Sequence, residues 1–268
     1  MCQDSILING RGQVKCHPQS FYTPWLTPLV PQVGGKGCIL PNNTNLFFWP
    51  ASRHTDALES LSDLLQDTHP ELTDDRLWNE CINTNTPLHV ISVKQSDGWA
   101  YLALVNLGGL DQLKFSIDNH KMYVFAADGN FHFPQEVDVV SIPIGERFEV
   151  LVRLDRPPAD YTIRVASGVA VQILSGYAVL SYERDGQPTR FTSPPAAVDP
   201  VIDYGGIVAN NKTLLNALSL KPWPPSPPPQ TSDHTFKFIV GGVNATAWGL
   251  NTVPYSVRGS TLEIVFLH

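Results

Sequence analysis

Residues Lys114–Leu154 read KFSIDNHKMYVFAADGNFHFPQEVDVVSIPIGERFEVLVRL. Apolar side chains recur at every second position, as Phe115 and Ile117, then Met122, Val124 and Ala126, then Phe148, Val150, Val152 and Leu154. A period of two is that of a β-strand with one buried face. Asp118-Asn119-His120, Asp128-Gly129-Asn130 and Pro143 to Gly145 interrupt the runs with residue types that tolerate left-handed or pre-set turn geometry. The stretch therefore reads as a sheet meander with one face buried and one wet.

Strand signals continue on both sides. Leu88–Val93 and Trp99–Asn106 flank a Ser96-Asp97-Gly98 turn, and Tyr161–Ala166 and Gly176–Tyr182 follow the meander. Near the start, residues 4–9 read as a strand that Gly10-Arg11-Gly12 ends in a turn. Short strands at such intervals predict an all-β, Greek-key β-sandwich, and periodicity alone does not separate an immunoglobulin-like version from the others.

Three stretches depart from this pattern. In residues 52–82, Leu58, Leu61, Leu64 and Leu65 fall at helical spacing and His69-Pro70 ends the run. Thr73, Asp74 and Asp75 then open a second helix carrying Leu77, Trp78 and Cys81, so this region reads as a small helical insertion. Residues 187–232 are rich in Pro, Ser and Thr, and KPWPPSPPPQ at 221–230 predicts an extended polyproline strut of roughly 25 Å within a linker. From 233 to 268 new strands are expected at Phe236–Val240, Trp248–Asn251 and Thr261–Leu267, with Gly241-Gly242 as a turn, too few to close a sandwich of their own.

Composition narrows the function classes. Apolar residues make up 43% of the 268 and charged ones 16%, which suits a packed core rather than disorder. A net charge of −7 argues against a nucleic-acid partner, which would require a basic face. No apolar run is long enough for a membrane span. The N-terminus lacks a signal-peptide pattern, yet Asn42-Asn43-Thr44, Asn211-Lys212-Thr213 and Asn244-Ala245-Thr246 match the glycan-acceptor tripeptide of secreted chains, so location stays open. Cys2, Cys16, Cys38 and Cys81 contain no C-x-x-C pair. A disulfide among the last three, or buried thiols, are the two readings.

FSIDNHKMYVFAADG, the later VDVVSIPIGERFEVLV, and LINGRG at residues 7–12 stand in the order of the second domain of three-domain multicopper oxidases, the laccases, ferroxidases and ascorbate oxidases, which this chain resembles. The resemblance implies a cupredoxin-like domain over residues 1–186, a linker, and the incomplete start of a third cupredoxin domain at 233–268. For a full-length parent it implies copper as cofactor. It also implies one-electron oxidation of phenolic or secondary-metabolite small molecules, or of Fe(II), with O2 reduced to water, as in pigment pathways.

The family's copper ligands come from H-x-H pairs of the first domain and from H-P-x-H-x-H and H-C-H motifs of the third, since imidazole with soft thiolate suits copper. This chain has none of them. Its histidines, at 17, 54, 69, 89, 120, 132, 234 and 268, include no two separated by one residue, and no catalytic, cofactor or metal site is assigned. His120 is expected to have a hydrogen-bonded turn role, and His89 and His132 framework roles. Asp118 with Arg147, and Asp138 with Arg153, are candidate ion pairs whose simpler reading is solvated strand charge. Gly10-Arg11-Gly12 precedes no helix, so it is not a phosphate loop. Two rival readings remain: a non-catalytic sandwich remnant that binds or scaffolds, and an adhesion module.

Overall fold

The computed structural model describes residues 6–15, 17, 21, 83–108, 111–168, 173–186, 190–197, 199–227, 229–231, 233–244, 247–250 and 253–254. The expected helical insertion at 52–82, all four cysteines, Asn42 and the strand at Thr261–Leu267 lie outside them. The described residues through Pro227 form one compact unit and those beyond it a second.

The first unit is a two-sheet sandwich. Its strands are β1 (His89–Val93), β2 (Trp99–Val105), β3 (Leu113–Ile117), β4 (Met122–Ala127), β5 (Asn130–Val137), β6 (Val139–Ile142), β7 (Arg147–Arg153), β8 (Asp160–Ser167) and β9 (Ser175–Tyr182). One sheet has the order β1-β9-β8-β3-β6 and the other β2-β7-β4-β5. Pairing is antiparallel except between β1 and β9. The chain changes sheet at β1–β2, β2–β3, β3–β4, β5–β6, β6–β7 and β7–β8, so sequence neighbours in the meander mostly face each other across the core. The turns use the residues the sequence offers: Asn119 at φ 63°, Asp128 and Gly129 at φ 47° and 83°, and Gly145 at φ 79°.

The period-two positions form the core. Met122, Val124, Phe148, Val150 and Val152 from one sheet meet Phe115, Ile117, Ile163, Val165, Ala178 and Leu180 from the other, all buried. Each such side chain removed from water contributes roughly 1.5–3 kcal/mol before chain entropy is counted. The opening segment seals one side. Residues 6–9 are not a strand; Ile8 and Arg11 exchange backbone hydrogen bonds of 2.8 and 3.0 Å around an Asn9-Gly10 turn. Ile6 and Ile8 then pack on the core. Gly176 of β9 must lack a side chain here, because a Cβ would come within 2.8 Å of Ile6 Cβ.

The second face of the five-stranded sheet is not wet, contrary to the simple meander reading. β9 is buried at seven of eight positions, and Ala166 and Val139 pack under Val201 and Ile202. Residues 190–223, expected as linker, thus lie on the sandwich. Val139 N–H donates to Thr213 O (3.0 Å) and Leu215 N–H to Val139 O (2.9 Å), a short parallel strip along the β6 edge. Phe133 N–H donates to Lys221 O and Trp223 N–H to Phe131 O (both 2.9 Å), covering the β5 edge in the same way. Satisfying edge backbone groups removes templates for unwanted strand pairing. A Pro-rich chain can do this because it needs donors and acceptors only at these few residues.

The second unit holds a small antiparallel sheet of β10 (Val240–Asn244), β11 (Ala247–Leu250) and β12 (Val253–Pro254). Gly241-Gly242 lies inside β10 rather than at a turn, and Phe236–Ile239 precedes the strand. The reversal falls instead between Asn244 and Ala247, which pair directly.

Candidate functional site

A buried polar cluster is built on the turn between β3 and β4. Asp118 N–H donates to Thr162 O (2.9 Å) and His120 N–H to Ile117 O (3.1 Å), fixing the turn against β8. The Asp118 carboxylate is only 3% exposed and meets Arg164 of β8 through Nε at 2.9 and 3.0 Å and Nη2 at 2.9 Å. Arg164 also stands 5.8 Å over the Tyr177 ring. The expected Asp118–Arg147 pair does not form, because β3 and β7 belong to different sheets; Arg147 lies 3.9 Å from Asp128 instead. Likewise Asp138 pairs with Lys121 at 2.6 Å and accepts from Thr213 N–H at 2.7 Å, while Arg153 faces Asp155 at 3.5 Å. Asp118 and Asp138 are therefore buried, partnered carboxylates and not solvated strand charges.

His120 is buried beside Tyr161 and Tyr182, with ring centroids 4.6 and 5.8 Å away. Its Nδ1 is 2.9 Å from Asp118 O and its Nε2 is 2.8 Å from Tyr182 Oη. A carbonyl only accepts, so Nδ1 carries the proton and Nε2 accepts from the phenol. Burial first, and then Arg156, hold the imidazole below its ordinary pKa against the opposing pull of the Asp118 carbonyl. Burial pushes Tyr182 up to about 12. The result is a neutral histidine with both nitrogens occupied.

The other candidates are dispersed. His89 Nε2 lies 3.0 Å from Asn9 Nδ2, tying β1 to the opening turn, and its pKa is lowered by burial and then by Arg11. His17 stacks on Phe21 at 4.0 Å and meets Tyr204 edge-on at 5.3 Å. His132 differs from the framework role expected for it. Nδ1 donates to Phe133 O at 3.0 Å, but the buried Nε2 has no hydrogen-bond partner. This residue lines a cleft of about 350 Å³ with Phe125, Phe131, Phe133, Pro134 and Trp223. Phe131, Phe133 and Trp223 are each about half exposed there. No motif announced the cleft; its signal was the density of aromatic residues on β4 and β5.

Among the described residues, no three His, Cys, Asp or Glu side chains converge as a metal site would require. Copper therefore does not fit the described part of this chain.

The multicopper oxidase family model matches residues 1–185. The chain belongs to the multicopper oxidase family. Its first unit is accordingly the cupredoxin-like form of the sandwich. Relatives include multicopper oxidase elcG of Phaeosphaeria nodorum, 34% identical over 251 residues, covering 89% of this chain and 36% of the relative. A laccase of Pestalotiopsis fici is 30% identical over 254 residues, covering 95% of this chain and 38% of the relative. Laccase abr2 of Aspergillus fumigatus is 31% identical over 256 residues, covering 95% and 40%. The chain thus spans well under half the length of these relatives. Among solved structures, that of Fet3p, a multicopper oxidase that functions in iron import, aligns with a TM-score of 0.49 and 20% identity over 65% of this chain and 32% of that one. No helix among the described residues is long and apolar enough to cross a membrane.

Proposed function

We propose that this chain is the middle domain, with the beginning of the next, of a longer laccase-like oxidase. That oxidase takes single electrons from phenolic small molecules, including secondary metabolites, and reduces O2 to water. The match to the Pestalotiopsis fici laccase carries the reading, since it runs through 95% of this chain but only 38% of the relative. In that setting the sandwich contributes a rigid body and leaves copper chemistry to other parts of the protein. The engaged nitrogens of His120 support this division of labour.

The test is O2 uptake by the longest product of the gene, purified with copper, using a dimethoxyphenol and separately Fe(II). Uptake with the phenol that stops on copper removal and returns on copper addition is expected. A copper-loaded product that consumes no O2 with phenols would refute the substrate assignment, and rapid uptake with Fe(II) alone would replace it by a ferroxidase.

A further inference from the structure

The tripeptide Asn211-Lys212-Thr213 has no part in the oxidase reading, and its place in the fold gives it one of its own. Lys212 N–H donates to Ala209 O at 3.0 Å, closing a β-turn with Asn210 and Asn211 at its two central positions. Both asparagines and Thr213 are exposed. The base of the turn is held firmly: Lys212 Nζ is 3.4 Å from Asp199, and Thr213 donates its N–H to the Asp138 carboxylate and accepts from Asp138 and Val139 N–H. The tip therefore projects from an anchored base, and a large polar substituent on Asn211 would meet solvent rather than the core.

We propose that Asn211 is an N-linked glycosylation site and that this chain passes through a secretory compartment. The acceptor pattern needs Asn, a residue other than Pro, and then Ser or Thr; Asn211, Lys212 and Thr213 supply it on an exposed turn. Asn42 lies outside the described residues, and Asn244 is the last residue of β10, paired with Ala247, so Asn211 is the described acceptor that stands outside a strand. The position also suggests what the glycan does. Residues 213–215 form the strip that closes the β6 edge. A bulky hydrophilic chain two residues before that strip keeps other strands from approaching the same edge. This inference is independent of the oxidase's substrate.

The test begins with protein purified from its source, treated with peptide N-glycosidase in heavy-oxygen water and mapped by mass spectrometry. Conversion of Asn211 to a heavy-oxygen-labelled aspartate is the expected result. A peptide carrying wholly unmodified Asn211 would overturn the proposal. Expression of the chain through a yeast secretory pathway supplies the second arm. Asn211→Gln and Thr213→Ala should each remove one glycan's mass, and Thr213→Ser should retain it. Loss of no mass in Asn211→Gln, while the wild type is glycosylated elsewhere, would likewise overturn it.

Discussion

Replacing Arg164 by Met should destabilise the domain far more than replacing Arg147 by Met, although both arginines lie on strands and both have an aspartate neighbour. Met keeps much of the aliphatic stem and removes the guanidinium. At position 164 this leaves the Asp118 carboxylate, 3% exposed, without its bidentate partner. Breaking a buried pair from one side costs about 3–5 kcal/mol; the 14% exposure of Arg164 admits some water, so about 3 kcal/mol is the expected loss. The Arg147–Asp128 pair, 59% and 53% exposed, should be worth about 0.5 kcal/mol or less. Urea unfolding followed by tryptophan fluorescence measures both. With a slope of about 2 kcal/mol/M, Arg164→Met lowers the midpoint by about 1.5 M and Arg147→Met by about 0.3 M or less. The double variant Asp118→Asn, Arg164→Met should recover part of the loss, because it no longer buries an unpaired charge. Equal midpoints for the two single variants would refute the claim that Asp118–Arg164 is a buried pair holding β3 to β8.

Tyr182→Phe removes the donor to His120 Nε2 and leaves a buried acceptor unsatisfied, at a cost of about 1–3 kcal/mol in the same urea assay. Because burial lowers the folded pKa of His120, its contribution to stability is complete above the unfolded value of about 6.5 and is lost as pH falls toward the folded value. Imidazole NMR titration of folded protein should show His120 protonating later in an acid titration than an exposed histidine. Asp160 is raised by burial but lowered further by hydrogen bonds from Arg184 and Ser181, ending below the usual range. Its stabilisation is therefore present above about pH 3.9 and fades as pH falls below that, so Arg184→Gln should weaken the pH dependence of stability in this acid window. Leu215→Ala should cost about 2–5 kcal/mol, which a residue in a free connector would not, as thermal unfolding will show. Gly176→Ala should cost about 1–3 kcal/mol by forcing Ile6 away from β9, detectable in the same measurement.

The strands and the core were legible because burial on one side of a sheet imposes a period of two, and Phe148, Val150 and Val152 display it without interruption. Partnership was not legible. Arg147 is nearer to Asp118 in sequence than Arg164 is, but the chain changes sheet between Asp118 and Arg147, and Arg164, 46 residues from Asp118, is the actual partner. Residues 190–223 read as linker because their attachment depends on backbone groups at Thr213, Leu215, Lys221 and Trp223 and on a few apolar contacts at Val201, Ile202 and Leu215. None of these follows a period. Gly241-Gly242 suggested a turn through composition, yet glycine inside a strand violates no steric rule and only weakens it. The Nε2 of His132 left without a partner has no sequence signature, since it depends on how β5 meets residues 221–223.

The size and copper content of the native protein test the central claim most directly. An antibody against residues 88–185 would capture it from the source organism for intact mass and metal analysis. The proposed place within a longer oxidase predicts a species far above 29.5 kDa that carries copper. A species at 29.5 kDa, with or without copper, would contradict it.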